Sequence, residues 1–251
     1  MHASSDYRGN VRNRQRNGGV SEQLGYDLIL TGRSQKHLEQ MQKALPTGVE
    51  IIALDLSEDR APFQLYDFCK DKQVDVLVNN AGYGLFGTFD QIDLEDELHM
   101  LNVNIRALHI LTKLFLRDFK KRNRGRILNV ASSAGFLSGS LLSSYYASKN
   151  YVVRLTLAIY EELRRAHSKV TVSLLCPGPV DTNFNNRAGV QFSMPPASPK
   201  KVARYGIDGA LQGKLILIPG MGVRLGVFAS RFVPHKMMSA ITYEIQKKKL
   251  K

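Results

Sequence analysis

The sequence predicts an α/β fold: a single domain on a doubly wound parallel sheet with helices on both faces. Two observations carry this reading. Short apolar runs alternate with amphipathic helical stretches along most of the chain, the pattern of a parallel sheet. Three of those runs end at Asn79, Ala131 and Cys176, each beside a polar or glycine-rich segment. In such sheets ligands bind at the carboxyl ends of the strands. The length of 251 residues, 43% of them hydrophobic, is enough for one such core.

The elements follow in order. Asp27 to Thr31 is an apolar strand ending at Gly32. Ser34 can cap a helix running through Leu38, Met41 and Leu45. Val49 to Leu54 is a second strand, and Ser57, Glu58 and Asp59 open a helix whose amino end favours acidic residues. Val74 to Val78 is a third strand. Leu94, Leu98, Leu101, Ile105, Leu108 and Phe115 recur at helical spacing and predict one long amphipathic helix. Ile127 to Val130 is a strand, Tyr145 to Arg165 a helix, and Val170 to Leu175 a strand. Asn183 to Lys200, with three prolines, is a long polar connection. Val202 to Leu211 is a helix and Leu215 to Ile218 a last strand. Val223 to Leu250 is a partly amphipathic basic extension interrupted at Pro234. Its apolar face is expected to pack within protein ahead of touching anionic lipid. The division is thus a basic leader over 1–24, a domain over 25–220 and an extension over 221–251.

Chemistry concentrates at Tyr145 and Lys149, four residues apart in Tyr-Tyr-Ala-Ser-Lys. That spacing puts both side chains on one helix face. An ammonium beside a phenol favours the phenolate, so the tyrosine pKa is expected to fall below about 10. Such a phenol exchanges protons with a carbonyl or alcohol. Ser132, thirteen residues before the tyrosine, can hydrogen-bond the same oxygen. Ser133 and Tyr146 are the neighbouring alternatives. Asn-Asn-Ala-Gly and Pro-Gly-Pro also read as plain turn punctuation.

Taken together, Val-Leu-Val-Asn79-Asn80-Ala81-Gly82, Val103-Asn104-Ile105, Ser132 with Tyr145 and Lys149, and Cys176-Pro177-Gly178-Pro179-Val180-Asp181-Thr182 resemble the short-chain dehydrogenase/reductase family. The resemblance runs from about Gly25 to Gly220 and implies a Rossmann-like sheet. The Gly-Tyr-Asp-Leu-Ile-Leu-Thr-Gly-Arg opening and the Lys-Leu-Ile-Leu-Ile-Pro-Gly close look like a broad bacterial subgroup of unassigned substrate. It implies Tyr145 as general acid in reduction, Lys149 at the nicotinamide ribose, Ser132 on the substrate carbonyl and Asn104 holding a relay water. It further implies Asn80, Ala81 and Gly82 on the adenosine side, Asp55 and Leu56 at the adenine, Val180 and Thr182 at the nicotinamide carboxamide, and Pro177 and Gly178 as further cofactor-binding residues. Asn183 to Lys200 falls where the family carries its substrate lid. A homo-oligomer and a small carbonyl or alcohol substrate are implied as well.

The amino terminus departs from that pattern. The family opens with a buried strand and a Thr-Gly-x-x-x-Gly-x-Gly turn whose backbone approaches the cofactor pyrophosphate at a helix N-terminus. Here Ala3-Ser4-Ser5 is followed by Asp6 to Gly19, which has Val11 as its one large aliphatic residue. The first strand and phosphate turn are therefore expected to be incomplete, and the leader poorly ordered. A shifted reading frame or misplaced start is the simplest account.

Arg33 and Ser34 follow the first recognisable strand where an acidic residue would select NAD. A guanidinium and a hydroxyl suit a ribose 2′-phosphate, so the expected cofactor is NADP(H). Net charge is +13. The basic residues are scattered over Arg8 to Arg16, Lys120 to Arg126 and Lys247 to Lys251, without interleaved aromatics, which argues against nucleic acid. Cys69 and Cys176 fit a reducing cytoplasm without a disulfide, no membrane span or signal peptide is seen, and no metal site is read. Three functions compete: an NADPH-dependent carbonyl reductase, an inactive remnant of one, and a basic scaffold.

Overall fold

The computed structural model describes residues 8–13 as backbone, and residues 25–181 and 196–247 in full. Seven strands form one sheet: β1 (Arg8–Asn13), β2 (Tyr26–Gly32), β3 (Val49–Ala53), β4 (Val76–Asn79), β5 (Arg126–Val130), β6 (Thr171–Leu175) and β7 (Ile216–Leu217). Their order is β3-β2-β1-β4-β5-β6-β7. β2–β3, β4–β5, β5–β6 and β6–β7 pair in parallel. The helices are α1 (Gln35–Ala44), α2 (Ala61–Cys69), α3 (Leu94–Leu101), α4 (Leu108–Lys121), α5 (Ser143–Arg165), α6 (Pro199–Leu211), α7 (Met221–Ala229) and α8 (His235–Lys247).

The helix starts have local causes. Ser34 caps α1 by accepting from the His37 N–H at 3.3 Å. Asp93 caps α3 by accepting from the N–H groups of Glu95 and Asp96 at 3.0 and 3.1 Å. Pro199 occupies the first turn of α6, where its missing N–H costs nothing. Leu65, Leu111, Phe115, Phe119 and Ile159 pack with Ile29, Leu77 and Ile127 in one core cluster. Val202 and Ala210 of α6 form another with Leu128, Leu175 and Leu217.

Two expectations are corrected. The first concerns the missing central strand. Arg8–Asn13 fills the gap between β2 and β4, but antiparallel to both: Arg8 lies opposite Thr31, Asn13 opposite Tyr26, and Val11 opposite both Leu28 and Val76. The physical reason is that β2 and β4, left apart, would present unpaired buried N–H and C=O groups, costing about 1–3 kcal/mol each. An extended segment of almost any composition satisfies them. Because β1 runs backwards, Asn13 lies at the edge where the parallel strands begin. A phosphate turn following β1 thus falls at the wrong edge of the sheet. The rest of residues 1–24 lies outside the described residues.

The second concerns the predicted long helix. Asn102–Ala107 is a π-helical stretch joining α3 to α4. The wider turn carries Asn104, which is fully buried and bonded to groups outside the helix.

The carboxyl-terminal extension folds as α7, a short turn and α8, with Pro234 between them as expected. Its inner side reaches the domain: Val227 is buried, Val223 lies against Gly178, and Thr242 and Gln246 are buried. Met221, Leu225, Phe228, Phe232, Met237, Ile241 and Ile245 are exposed on the single chain.

Candidate active site

The described candidate residues gather at or near the carboxyl ends of the parallel strands. Arg33 and Ser34 follow β2, Asp55 and Leu56 follow β3, and Asn80, Ala81 and Gly82 follow β4. Ser132 follows β5, and Pro177, Gly178 and Val180 follow β6. Thr182, with most of the predicted lid, lies outside the described residues.

Ser132 caps a short 3₁₀ turn, its hydroxyl oxygen accepting from the Ala134 N–H at 3.1 Å. The same hydroxyl faces the Tyr145 phenol closely enough to favour its ionised form. Ser133 instead ties this turn to the strand beside it, its N–H donating to the Pro177 carbonyl at 2.9 Å. The other phenol, Tyr146, accepts from the Gln246 amide at 2.6 Å and so faces α8.

Burial pushes the Tyr145 phenol up to about 12, with the Ser132 hydroxyl pulling the other way. The sequence led us to expect the reverse. The ammonium does not reach the phenol: Lys149 Nζ lies 5.9 Å from the ring centroid and donates to the Val130 carbonyl at 3.1 Å. Lys149 is itself 4% exposed, and burial brings its ammonium down to about 8. Desolvation is the largest influence on both groups. Beside them Cys176 is fully buried, its thiol pushed up to about 12 by burial, which leaves it unreactive.

Asn104 is locked on three sides. Its amide donates to the Tyr83 carbonyl at 2.9 Å and to Ser148 Oγ at 3.0 Å, and its oxygen accepts from the Tyr83 N–H at 3.1 Å. With the side chain fully engaged, the main chain of the π-helical stretch is the part left for a relay water. Gly82 completes this cluster. A Cβ there would stand 2.8 Å from Asn104 Oδ1 and 3.0 Å from Lys149 Nζ.

The β2–β3 end is separate. Arg33 Nη1 lies 3.8 Å from Asp55 Oδ2, both side chains part-exposed. Asp55 Oδ1 accepts from the Ser57 N–H and hydroxyl at 2.9 and 2.8 Å. Leu56 is 1% exposed and belongs to the main core, so only its backbone is left to meet an adenine. Tyr83 spans the two halves: its main chain holds Asn104, while its phenol lies near enough to Arg33 and Asp55 to feel their charges.

Sequence reasoning missed Tyr83 and Ser148. It also missed a buried polar chain behind the site. Asn79 donates to Thr112 and Asn129, both at 2.9 Å, and Asn129 donates to Thr156 at 3.0 Å. This chain fixes β4 and β5 against α4 and α5. The polar Asn79 and Asn129 inside otherwise apolar strands were its one signal, and that signal does not name partners.

The short chain dehydrogenase family model matches residues 21–191, well over half of the chain. The chain belongs to the short-chain dehydrogenase/reductase family. Among curated relatives of this oxidoreductase family, it is 34% identical over 170 residues to a 2-dehydro-3-deoxy-D-gluconate 5-dehydrogenase of Bacillus subtilis, covering 65% of this chain and 66% of that one. Two solved short-chain dehydrogenases share its fold. One, from Sphingobium yanoikuyae and in complex with NADPH, superimposes with TM-score 0.73 at 24% identity, over 83% of this chain and 84% of that one. The other, from Burkholderia phymatum and in complex with NAD, gives 0.72 at 24%, over 81% and 83%. The family model starts beyond β1, so the backwards strand lies outside the part of the chain that the short-chain dehydrogenase/reductase pattern describes.

Proposed function

We propose that this protein is an NADPH-dependent oxidoreductase that reduces a carbonyl to an alcohol. The observation supporting this is the Ser132 hydroxyl set against the Tyr145 phenol, beside a buried Lys149 and an immobilised Asn104 near the carboxyl ends of β4 and β5.

NADPH, when bound, supplies the hydride that the carbonyl carbon receives. The Tyr145 hydroxyl donates its proton to the carbonyl oxygen, completing the alcohol, and the Ser132 hydroxyl holds that oxygen as its charge grows. Lys149 sits where it can bind a ribose and refill the phenol through Asn104 and water. The absence of a side chain at Gly82 leaves Lys149 Nζ and Asn104 uncrowded, and the part-exposed Arg33 suits a 2′-phosphate. Ser34, Asp55, the Leu56 backbone, Asn80 and Ala81 would hold the adenosine end. Pro177, Gly178, Val180 and Thr182 would hold the carboxamide. The described ones among these residues fit the cofactor.

The pyrophosphate end does not fit equally well, because β1 runs opposite to the direction that a phosphate turn after it requires. That observation favours a second reading, an impaired or inactive short-chain reductase with weak cofactor binding.

NADPH turnover against a panel of ketones and aldehydes, for the parent and for Tyr145→Phe, separates the readings. Turnover in the parent that is lost in the variant, with NADPH affinity kept, is expected for the reductase. A parent that binds NADPH weakly and turns over none of the panel would support the remnant. Full turnover by Tyr145→Phe would remove Tyr145 from the chemistry.

A further inference from the structure

The inner faces of α7 and α8 are already occupied. Val227 is in a core cluster, Gly178 accepts Val223, Ser239 bonds Ser138 at 2.8 Å, and Gln246 bonds Tyr146 at 2.6 Å. The outer faces are apolar. Met221, Leu225 and Phe228 follow one another at helical spacing on α7 and are each more than half exposed. Phe232, 74% exposed, stacks edge-on against Phe228 with centroids 5.4 Å apart. Met237, Ile241 and Ile245 repeat the spacing on α8 and are exposed. Eight of the fourteen large hydrophobic residues exposed among the described residues fall in this segment. A concentration of that kind marks an interaction surface.

Charge selects the partner. From Met221 onward the sequence has seven Lys and Arg against the single Glu244. Arg224, Arg231, Lys236 and Lys247 are exposed alongside the apolar stripes. A second copy meeting this face symmetrically would bring the same cations together on a chain already at +13. An anionic bilayer complements both features, taking the apolar stripes into its interface and the cations against its headgroups. Among the described residues no helix is long and apolar enough to cross a membrane. Lying on the surface is the mode these helices allow. We propose that α7 and α8 dock the protein on an anionic membrane surface, through the outer face running from Met221 to Ile245. The bonds from α8 to Ser138 and Tyr146 fasten that surface to the Tyr145 region.

Flotation of the whole chain with vesicles tests this. Vesicles of phosphatidylcholine with phosphatidylglycerol should carry the protein, and phosphatidylcholine alone should carry about tenfold less or lower still. The exposed triple variant L225Q/F228Q/F232Q should lose anionic binding by about tenfold or more, since three interfacial contacts go. The chain has no tryptophan, so Phe232→Trp gives a single reporter, whose emission should shift to the blue with anionic vesicles alone. Three results would each overturn the proposal. One is no flotation on anionic vesicles, and another is flotation by the triple variant equal to the parent. The third is a parent dimer that becomes monomeric in the triple variant while neither floats, which assigns the face to a second copy.

Discussion

Gly82 and Lys149 approach so closely that a single methyl group on Gly82 would stand 3.0 Å from the lysine Nζ, with Asn104 Oδ1 at 2.8 Å on its other side. The amine can swing, but the Asn104 amide is held by Tyr83 and Ser148 and cannot. Gly82→Ala should therefore displace Lys149, costing about 1–3 kcal/mol as overpacking does. Cofactor affinity should fall more than thermal stability does. An alanine variant with parental NADPH binding would show that the crowding relaxes harmlessly.

The phenol of Tyr145 sets the direction of the pH response. With burial holding it up at about 12, it is protonated, and able to donate, across neutral and mildly alkaline pH. Carbonyl reduction should decline as pH rises towards that value, while alcohol oxidation should gain. The Ser132 hydroxyl favours the phenolate, so Ser132→Ala should move the alkaline limb upward as well as lower the rate. Rate profiles of parent and variant that share one alkaline limb would dissociate Ser132 from the phenol.

Lys149 gives a second, opposite signature in stability. Its folded pKa of about 8 lies below the ordinary 10.5, so between those values the unfolded chain binds more protons. Stability from this group is present above 10.5 and is lost as pH falls towards 8. Lys149→Met removes the titration. The stability difference between parent and variant should shift against the parent by roughly 3 kcal/mol from the top of that window to the bottom. Denaturant titrations across the window measure it, and parallel curves would mean the amine is solvated.

The elements that were legible in the sequence share a physical property: their signals are local. Strands buried on both faces read as apolar runs, as in Ile127 to Val130, and a four-residue helical turn puts Tyr145 and Lys149 together. What was illegible depends on partners far along the chain. Asn79, Thr112, Asn129 and Thr156 meet inside the fold although tens of residues separate them. The π-helical turn at Asn104 sits among residues whose spacing alone predicts an ordinary helix. The direction of the Tyr145 shift depends on burial, which spacing cannot reveal. Apolar stripes in the last helices were visible, but not which side the domain would cover.

Arg33 tests the cofactor assignment. Its guanidinium lies near Asp55 at 3.8 Å, too far for a tight pair and part-exposed, so it can turn to a 2′-phosphate at little cost. Arg33→Ala should weaken NADPH binding about tenfold or more and leave NADH nearly unchanged. Titration of both cofactors by fluorescence quenching reads the ratio. An equal loss for the two would place Arg33 away from the 2′ position.

The backwards strand makes the last prediction. Val11 faces Leu28 on one side and Val76 on the other, in the middle of the sheet. Proline there lacks the N–H that a central strand uses in its ladder and is tolerated only at edges and bulges. Val11→Pro should cost about 1–3 kcal/mol for the carbonyl it leaves unpaired and lower the melting temperature. Backbone amides of β2 and β4 should exchange faster with solvent in the same variant, because both ladders open. Val11→Thr, which keeps the N–H and the branched side chain, should leave both measurements close to the parent's. If proline changed neither, the ladder through Arg8–Asn13 would contribute nothing to the fold. The sheet would then be held by the parallel strands on either side of it, and the obstacle that β1 poses to a phosphate turn would disappear with it.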